Sequence, residues 1–236
     1  MINISELCVR YPDGTTAVDG IDLTLGDGEN IALIGANGAG KTSLLLALVG
    51  VLPIASGSVT VDGIVMSKKT VNDIRSRVGL VFQNPDDQLF MPIIREDVAF
   101  GPHNFGKTHE EIERIVKETL ELLDISHLAE RSPLKMSGGE KRMAAIATVL
   151  AMEPGAMLFD EPTAFLDPRA RRNLINVLAR LHHTKLIATH DLTFAAETCS
   201  RAVILKNGKV FADGLPGELL YDEKLMEACG IEAIMR

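Results

Sequence analysis

One octapeptide constrains this chain more than any other feature. Gly35-Ala36-Asn37-Gly38-Ala39-Gly40-Lys41-Thr42 follows an apolar run at residues 31–34 and opens a Leu- and Ala-rich stretch at residues 42–49. The pattern G-x-x-x-x-G-K-S/T between a strand and a helix lets backbone N–H groups wrap a polyphosphate, and the helix N-terminus adds a favourable dipole. Lys41 brings a cation to the outer phosphates, and the Thr42 hydroxyl is placed for Mg²⁺. A strand, loop and helix in that order points to an α/β fold with a parallel sheet.

The surrounding pattern extends that expectation. Apolar alternation at Ile2 and Ile4 and a run at residues 21–25 predict strands, separated by turns at Pro12-Asp13-Gly14 and Gly26-Asp27-Gly28. Asp62-Gly63 between residues 59–61 and 64–66 predicts a tight hairpin, which adds antiparallel strands. From Asn84 onward Ile112, Ile115, Val116, Thr119, Leu120 and Leu123 recur at helical spacing, and residues 139–152 predict a second long helix. Strand-like runs return at 156–159, 186–189 and 202–205, with helical segments 168–181 and 192–198 between them. The expected organisation is one domain: residues 1–83 and 153–215 form the α/β core with its antiparallel strands. Residues 84–152 form a helical insertion, and 216–236 a short helical tail.

Composition narrows the function classes. With 32 acidic against 24 basic residues, the net charge is -8, which disfavours binding to nucleic acid or anionic lipid through excess Lys and Arg. No stretch reaches the ~18 apolar residues of a spanning helix, so membrane association is expected to go through a protein partner. Cys8, Cys199 and Cys229 lie far apart without a CxxC pair, and no secretory signal opens the chain, which favours a cytoplasmic setting.

Two further motifs carry charge to a phosphate. Met157-Leu158-Phe159-Asp160-Glu161 is an apolar strand that delivers two carboxylates at its C-terminal end, where open α/β sheets bind ligands. Asp160 is placed to complete the Mg²⁺ shell, and Glu161 to orient or deprotonate a water attacking the γ-phosphate. Ser137-Gly138-Gly139-Glu140 precedes an apolar helix, so Ser137 can cap it while the glycines leave N–H groups open to an anion.

In this order the motifs resemble the ATP-binding cassette ATPase family along almost the whole chain. The resemblance implies a P-loop NTPase core of RecA-like type with an antiparallel β subdomain and an inserted α-helical subdomain. It implies ATP and Mg²⁺ as cofactors. Residues 35–42 resemble the Walker A loop, so Asn37, Gly38, Gly40, Lys41, Thr42 and Ser43 would bind the phosphates. Tyr11 resembles the aromatic that stacks on adenine, with Val18 as its apolar neighbour, and Gln83 the Q-loop glutamine that touches Mg²⁺ and the attacking water. Ser137, Gly138 and Gly139 resemble the signature motif, Asp160 the Walker B aspartate, Glu161 the catalytic glutamate, Asp167 the D-loop aspartate and His190 the switch histidine. Departures are mild: Met136 and Glu140 stand where leucine and glutamine are usual, Thr42-Ser43 reverses a common order, and Ala164 replaces a serine.

The family clamps ATP between Walker A of one cassette and the signature of another, so one motif set implies a partner, a second copy or a paralogue. Residues 84–90 and 96–102 resemble the ATPase subunits of energy-coupling-factor importers, including those for cobalt and nickel ions and for vitamins. By that resemblance Asp86, Asp87 and Gln88 would meet an integral membrane subunit, with the chain peripheral on the inner face of the cell membrane. The alternative is a soluble cassette acting mechanically on nucleic acid or ribosomes, for which 236 residues and an acidic balance supply neither a second motif set nor a basic surface.

Overall fold

The computed structural model describes residues 1–235. β1 (Ile2–Arg10) folds back antiparallel on β2 (Thr16–Leu25), and β3 (Asn30–Gly35) runs into the octapeptide, after which α1 (Lys41–Leu48) begins. β4 (Ile54–Val61) and β5 (Ile64–Val65) flank Asp62 and Gly63, whose φ values of 47 and 80 place both in the left-handed region that tight hairpins require. α2 (Val71–Arg75) and β6 (Val78–Val81) follow.

Three helices come next: α3 (Ile94–Asn104), α4 (His109–Leu122) and α5 (Gly138–Leu150). β7 (Ala156–Asp160), α6 (Pro168–Arg180), β8 (Thr184–Ala188), α7 (Leu192–Thr198) and β9 (Arg201–Lys206) return to the sheet. β10 (Lys209–Gly214), α8 (Pro216–Leu219) and α9 (Glu223–Ala228) end the chain.

The strands form two sheets. β2-β1-β4-β5 is antiparallel, and β10-β9-β3-β8-β7-β6 is parallel except for β10 at its edge. Buried residues of β1, β2 and β4 share one apolar cluster with α1, Ile31 and Leu33, so the two sheets enclose α1. On the other side Ile94, Val98, Ile115, Ile146 and Val149 join Phe159, Ile187 and Leu174 in a second cluster, so the helical segment shares its core with the sheet. Each fully buried aliphatic or Phe side chain contributes about 1.5–3 kcal/mol, so the shared cluster holds the helical segment against the sheet. The tail covers Ile34 and Ile204 with Leu220, Met226 and Cys229.

Three elements lack a sequence signature. β6 is only four residues long and contains Gly79, where a Cβ would collide with Val149 of α5. α2 spans five residues. α3 carries Gly101 and Pro102, poor helix formers, yet it forms: Gly101 lies against Met152, and the Asp97 carboxylate accepts the backbone N–H groups of Phe90 and Met91 at 3.0 Å.

Register sets the site. Leu33 of β3 and Asp160 of β7 both pair with Ala188, the last residue of β8. The octapeptide, Glu161 and His190 therefore emerge side by side at one sheet edge.

Candidate active site

The octapeptide closes tightly because Gly40 lacks a side chain. With φ at 105 it is left-handed, and a Cβ there would run into the Ala17 carbonyl. Gly40→Ala is expected to abolish ATP binding, measured by equilibrium dialysis, with the overall circular dichroism retained. No side chain caps α1 at Gly40, so the first-turn N–H groups face the cleft without competition. The Lys41 ammonium is buried and donates to the carbonyls of Gly35 at 2.6 Å and Ala36 at 3.3 Å. Burial lowers its pKa, while the charges of Glu161 and Asp160 work in the opposite direction.

A cleft of about 540 Å³ gathers Tyr11, Asn37, Gly38, Gly40, Lys41, Thr42, Ser43, Gln83, Glu161 and His190. The Tyr11 hydroxyl and Ser43 Oγ share a hydrogen bond of 3.0 Å, which fixes the aromatic at the mouth of the phosphate loop. Val18 does not belong to this group. Its side chain is wholly buried in the core between the sheets, and Thr15, Thr16 and Ala17 line the rim instead. No periodicity in residues 14–20 distinguishes the rim residues from the core one, because the irregular register of β1 with β2 decides which way each points.

Asp160 ends β7 and is buried; burial raises its pKa, and a hydrogen bond from the Thr42 side chain pulls it down. Its Oδ1 has no hydrogen-bond partner. An orphaned carboxylate oxygen beside a hydroxyl is an oxygen donor set that fits a hard divalent cation such as Mg²⁺. Gln83 lies on the same cleft and offers an amide oxygen.

Glu161, the next residue, has φ at 45, an outlier for a non-glycine residue that costs of order 1–3 kcal/mol. Its N–H donates to Ala188 O at 2.8 Å, and its Oε2 accepts the His190 N–H at 3.1 Å and meets His190 Nδ1 at 2.8 Å. The strained turn aims a buried carboxylate into the cleft with one oxygen committed to His190. The other is left for a water or a proton.

The second helix end singled out by the sequence stands apart. Ser137 caps α5 in a capping box: its Oγ accepts the Glu140 N–H at 3.3 Å, and Glu140 Oε2 accepts the Ser137 N–H at 2.7 Å. The bond from the Ser137 N–H, and next the Ser137 hydroxyl 2.8 Å from the same oxygen, hold the Glu140 carboxyl below its ordinary pKa. Ser137, Gly139, Glu140 and Asp167 line a different cleft of about 840 Å³, which shares no residue with the first. Gly138 is the first residue of α5, and a Cβ at Gly139 would lie 2.8 Å from Ala170 Cβ. Asp167 caps α6, its Oδ1 accepting the Ala170 N–H at 2.8 Å.

Two braces escaped sequence reasoning. Arg142 is almost wholly buried and donates to the carbonyls of Phe82 and Gln83, each at 2.6 Å, tying α5 to the Gln83 loop. Burial pulls its pKa down to about 10, opposed by Asp160. The available signal was a charge directly abutting the apolar run 143–152, the last of the three consecutive charged residues Glu140, Lys141 and Arg142. Gln88, expected at a partner surface, is turned inward. Its side-chain carbonyl accepts the Phe82 N–H at 3.0 Å, and its amide donates to Ala145 O at 2.7 Å and Thr148 Oγ1 at 2.8 Å. Asp86 pairs with Lys141 at 2.6 Å, and Asp87 remains exposed.

Comparison with known proteins follows the same lines. The family model described as ABC transporter matches residues 18–164. The energy-coupling factor transporter ATP-binding protein EcfA of Methanothermobacter thermautotrophicus is 44% identical over 236 residues, spanning 98% of this chain and 76% of that one. The structure of cbiO1 from Clostridium perfringens, part of the ABC transporter complex cbiONQ, superposes with a TM-score of 0.84 at 35% identity, covering 96% of this chain and 93% of that one. A dimeric ATP-binding cassette in a post-hydrolysis state bound to ADP and Pi gives a TM-score of 0.81 at 26% identity, covering 92% and 99%. A glycine-rich phosphate loop, two carboxylates on the neighbouring strand and a chain-length match to such cassettes lead to one conclusion: the chain belongs to the ABC transporter family, as an ATPase of the energy-coupling-factor type.

Proposed function

We propose that this ATPase is one of two cassettes that close around Mg-ATP and power an importer for a cobalt or nickel ion or a vitamin. The observation that carries the reading is the separation of two clefts in one chain, Lys41 and Glu161 in one, Ser137 and Gly139 in the other. An ATP held on Lys41 meets the α5 N-terminus only if a second cassette, a copy or a paralogue, presents its own. The dimeric state of the ADP-bound cassette supports that arrangement.

Within each composite site Tyr11 faces the adenine, and Asn37, Gly38, Gly40, Lys41, Thr42 and Ser43 hold the phosphates. Thr42, Asp160 and Gln83 would hold Mg²⁺, which when bound neutralises charge on the β- and γ-phosphate oxygens. Glu161 orients the attacking water and takes its proton; His190 keeps Glu161 in place and faces the γ-phosphate. The second cassette contributes the N–H groups at Ser137, Gly138 and Gly139, with Asp167 beside them.

No helix among the described residues is long and apolar enough to cross a membrane, so a separate integral membrane subunit would carry the cargo path. Exposed Asp87, Phe90 and Phe100, the rings 4.9 Å apart and edge to face, form the surface offered to it from the cytoplasmic side. Affinity purification of the tagged chain from detergent-solubilised native membranes is expected to recover a polytopic membrane protein, identified by mass spectrometry. Recovery only from the soluble fraction with nucleic-acid or ribosomal partners would keep the ATPase and overturn the transport reading.

A further inference from the structure

We propose that Arg171, on α6, is a positioning residue for hydrolysis: it clamps the loop that carries His190 and thereby fixes His190 on Glu161. The proposal rests on the reading of Glu161 and His190 as the hydrolytic pair. The clamp is two-pronged, with Arg171 Nε donating to Asp191 Oδ2 at 2.7 Å and Nη2 to Oδ1 at 3.1 Å. Both side chains are largely shielded, at 22% and 24% exposure, so the pair escapes most of the screening that weakens surface ion pairs. The Phe194 ring lies 5.8 Å from the guanidinium carbon, a further contact that holds the fork in its plane.

Asp191 is in turn fixed on both sides. Its N–H donates to Thr189 Oγ1 at 3.0 Å, and its Oδ1 accepts the Phe194 N–H at 2.8 Å, capping α7. Burial alone would raise the Asp191 carboxyl, but the bonds from Arg171 and the Phe194 N–H hold it below its ordinary pKa. His190 sits between these fixed points with a side chain 68% exposed, so packing does not orient its ring. Two things set its ring: the Glu161 carboxylate, 2.8 Å from Nδ1, and the backbone from Thr189 to Asp191, which Arg171 braces from α6.

The same helix reaches the other cleft. α6 starts at Asp167, and Ala170, the residue before Arg171, is the neighbour that leaves no room for a side chain at Gly139. α6 thus touches the Ser137 end through Ala170 and the His190 loop through Arg171, two parts of one chain that in the proposed pair of cassettes serve different nucleotides.

The test compares Arg171→Gln with Arg180→Gln, at the far end of α6, where the contact to Asp124 is an exposed ion pair. ATP turnover, ATP affinity and melting temperature are measured on the full-length chain with its co-purifying partners. Arg171→Gln is expected to lower kcat about 10- to 100-fold, the scale of a misplaced reacting group, with ATP affinity and melting temperature near wild type. Arg180→Gln is expected to keep wild-type turnover. Full turnover in Arg171→Gln beside an active wild type would overturn this proposal alone, as would a joint fall of turnover, affinity and melting temperature. A wild-type chain without turnover would overturn the hydrolysis reading and this proposal with it.

Discussion

Glu161→Gln is expected to lower ATP turnover by about 10²–10⁴-fold, the usual contribution of a general base, while ATP still binds. The substitution keeps the shape of the side chain and a hydrogen-bonding oxygen for the His190 N–H, now 3.1 Å from Oε2, but it cannot take a proton. The phosphate loop, Lys41 and Thr42 are untouched, so affinity is retained. With hydrolysis blocked, the clamp does not release, and the variant accumulates as an ATP-bound dimer. Single-turnover kinetics and size-exclusion chromatography with ATP measure both effects, and a monomeric variant with wild-type turnover would contradict them.

A second large effect is expected from complementation. Lys41→Ala removes the buried cation of one cleft, and Ser137→Arg fills the other, so each variant alone is expected to lose at least about 10²-fold in turnover. In a mixed pair, the intact loop of the Ser137 variant faces the intact α5 N-terminus of the Lys41 variant. One composite site is whole, and turnover returns on mixing. Recovery identifies two copies of this chain as partners; two variants that stay inactive together, beside a co-purifying paralogue, assign the complementary half to that paralogue.

What the sequence made legible is what local chemistry dictates. The octapeptide, the Asp160-Glu161 pair and the Ser137 cap each need only neighbours in sequence, and the structure shows the turn, the strand end and the helix cap where those neighbours require them. Asp62-Gly63 is legible for the same reason. Contacts made across the fold are not. Arg142 reaches carbonyls about sixty residues away, and Arg171 a carboxylate twenty away, each through the tertiary packing of a helix. Val18 lies in the core rather than on the Tyr11 cleft because an irregular strand pairing, which no local pattern announces, turns it inward. The resemblance puts Gln88 at a partner surface; its side chain instead bonds the Phe82 N–H, the Ala145 carbonyl and the Thr148 hydroxyl, the latter two about sixty residues away and beyond any local pattern.

The braces around residues 82–88 also bear on how cassettes of this build can be recombined. Lys141 holds Asp86, Arg142 holds the Phe82 and Gln83 carbonyls, and Ala145 and Thr148 hold Gln88, all from one face of α5. A loop transplanted from another cassette would still offer backbone carbonyls to Arg142, but the side-chain pairings of Lys141 with Asp86 and Thr148 with Gln88 survive only if α5 travels with it. On the proposed reading of this loop as the partner surface, the transferable module is loop plus helix, and partner choice would be inherited together with the Ser137 end that the same helix begins.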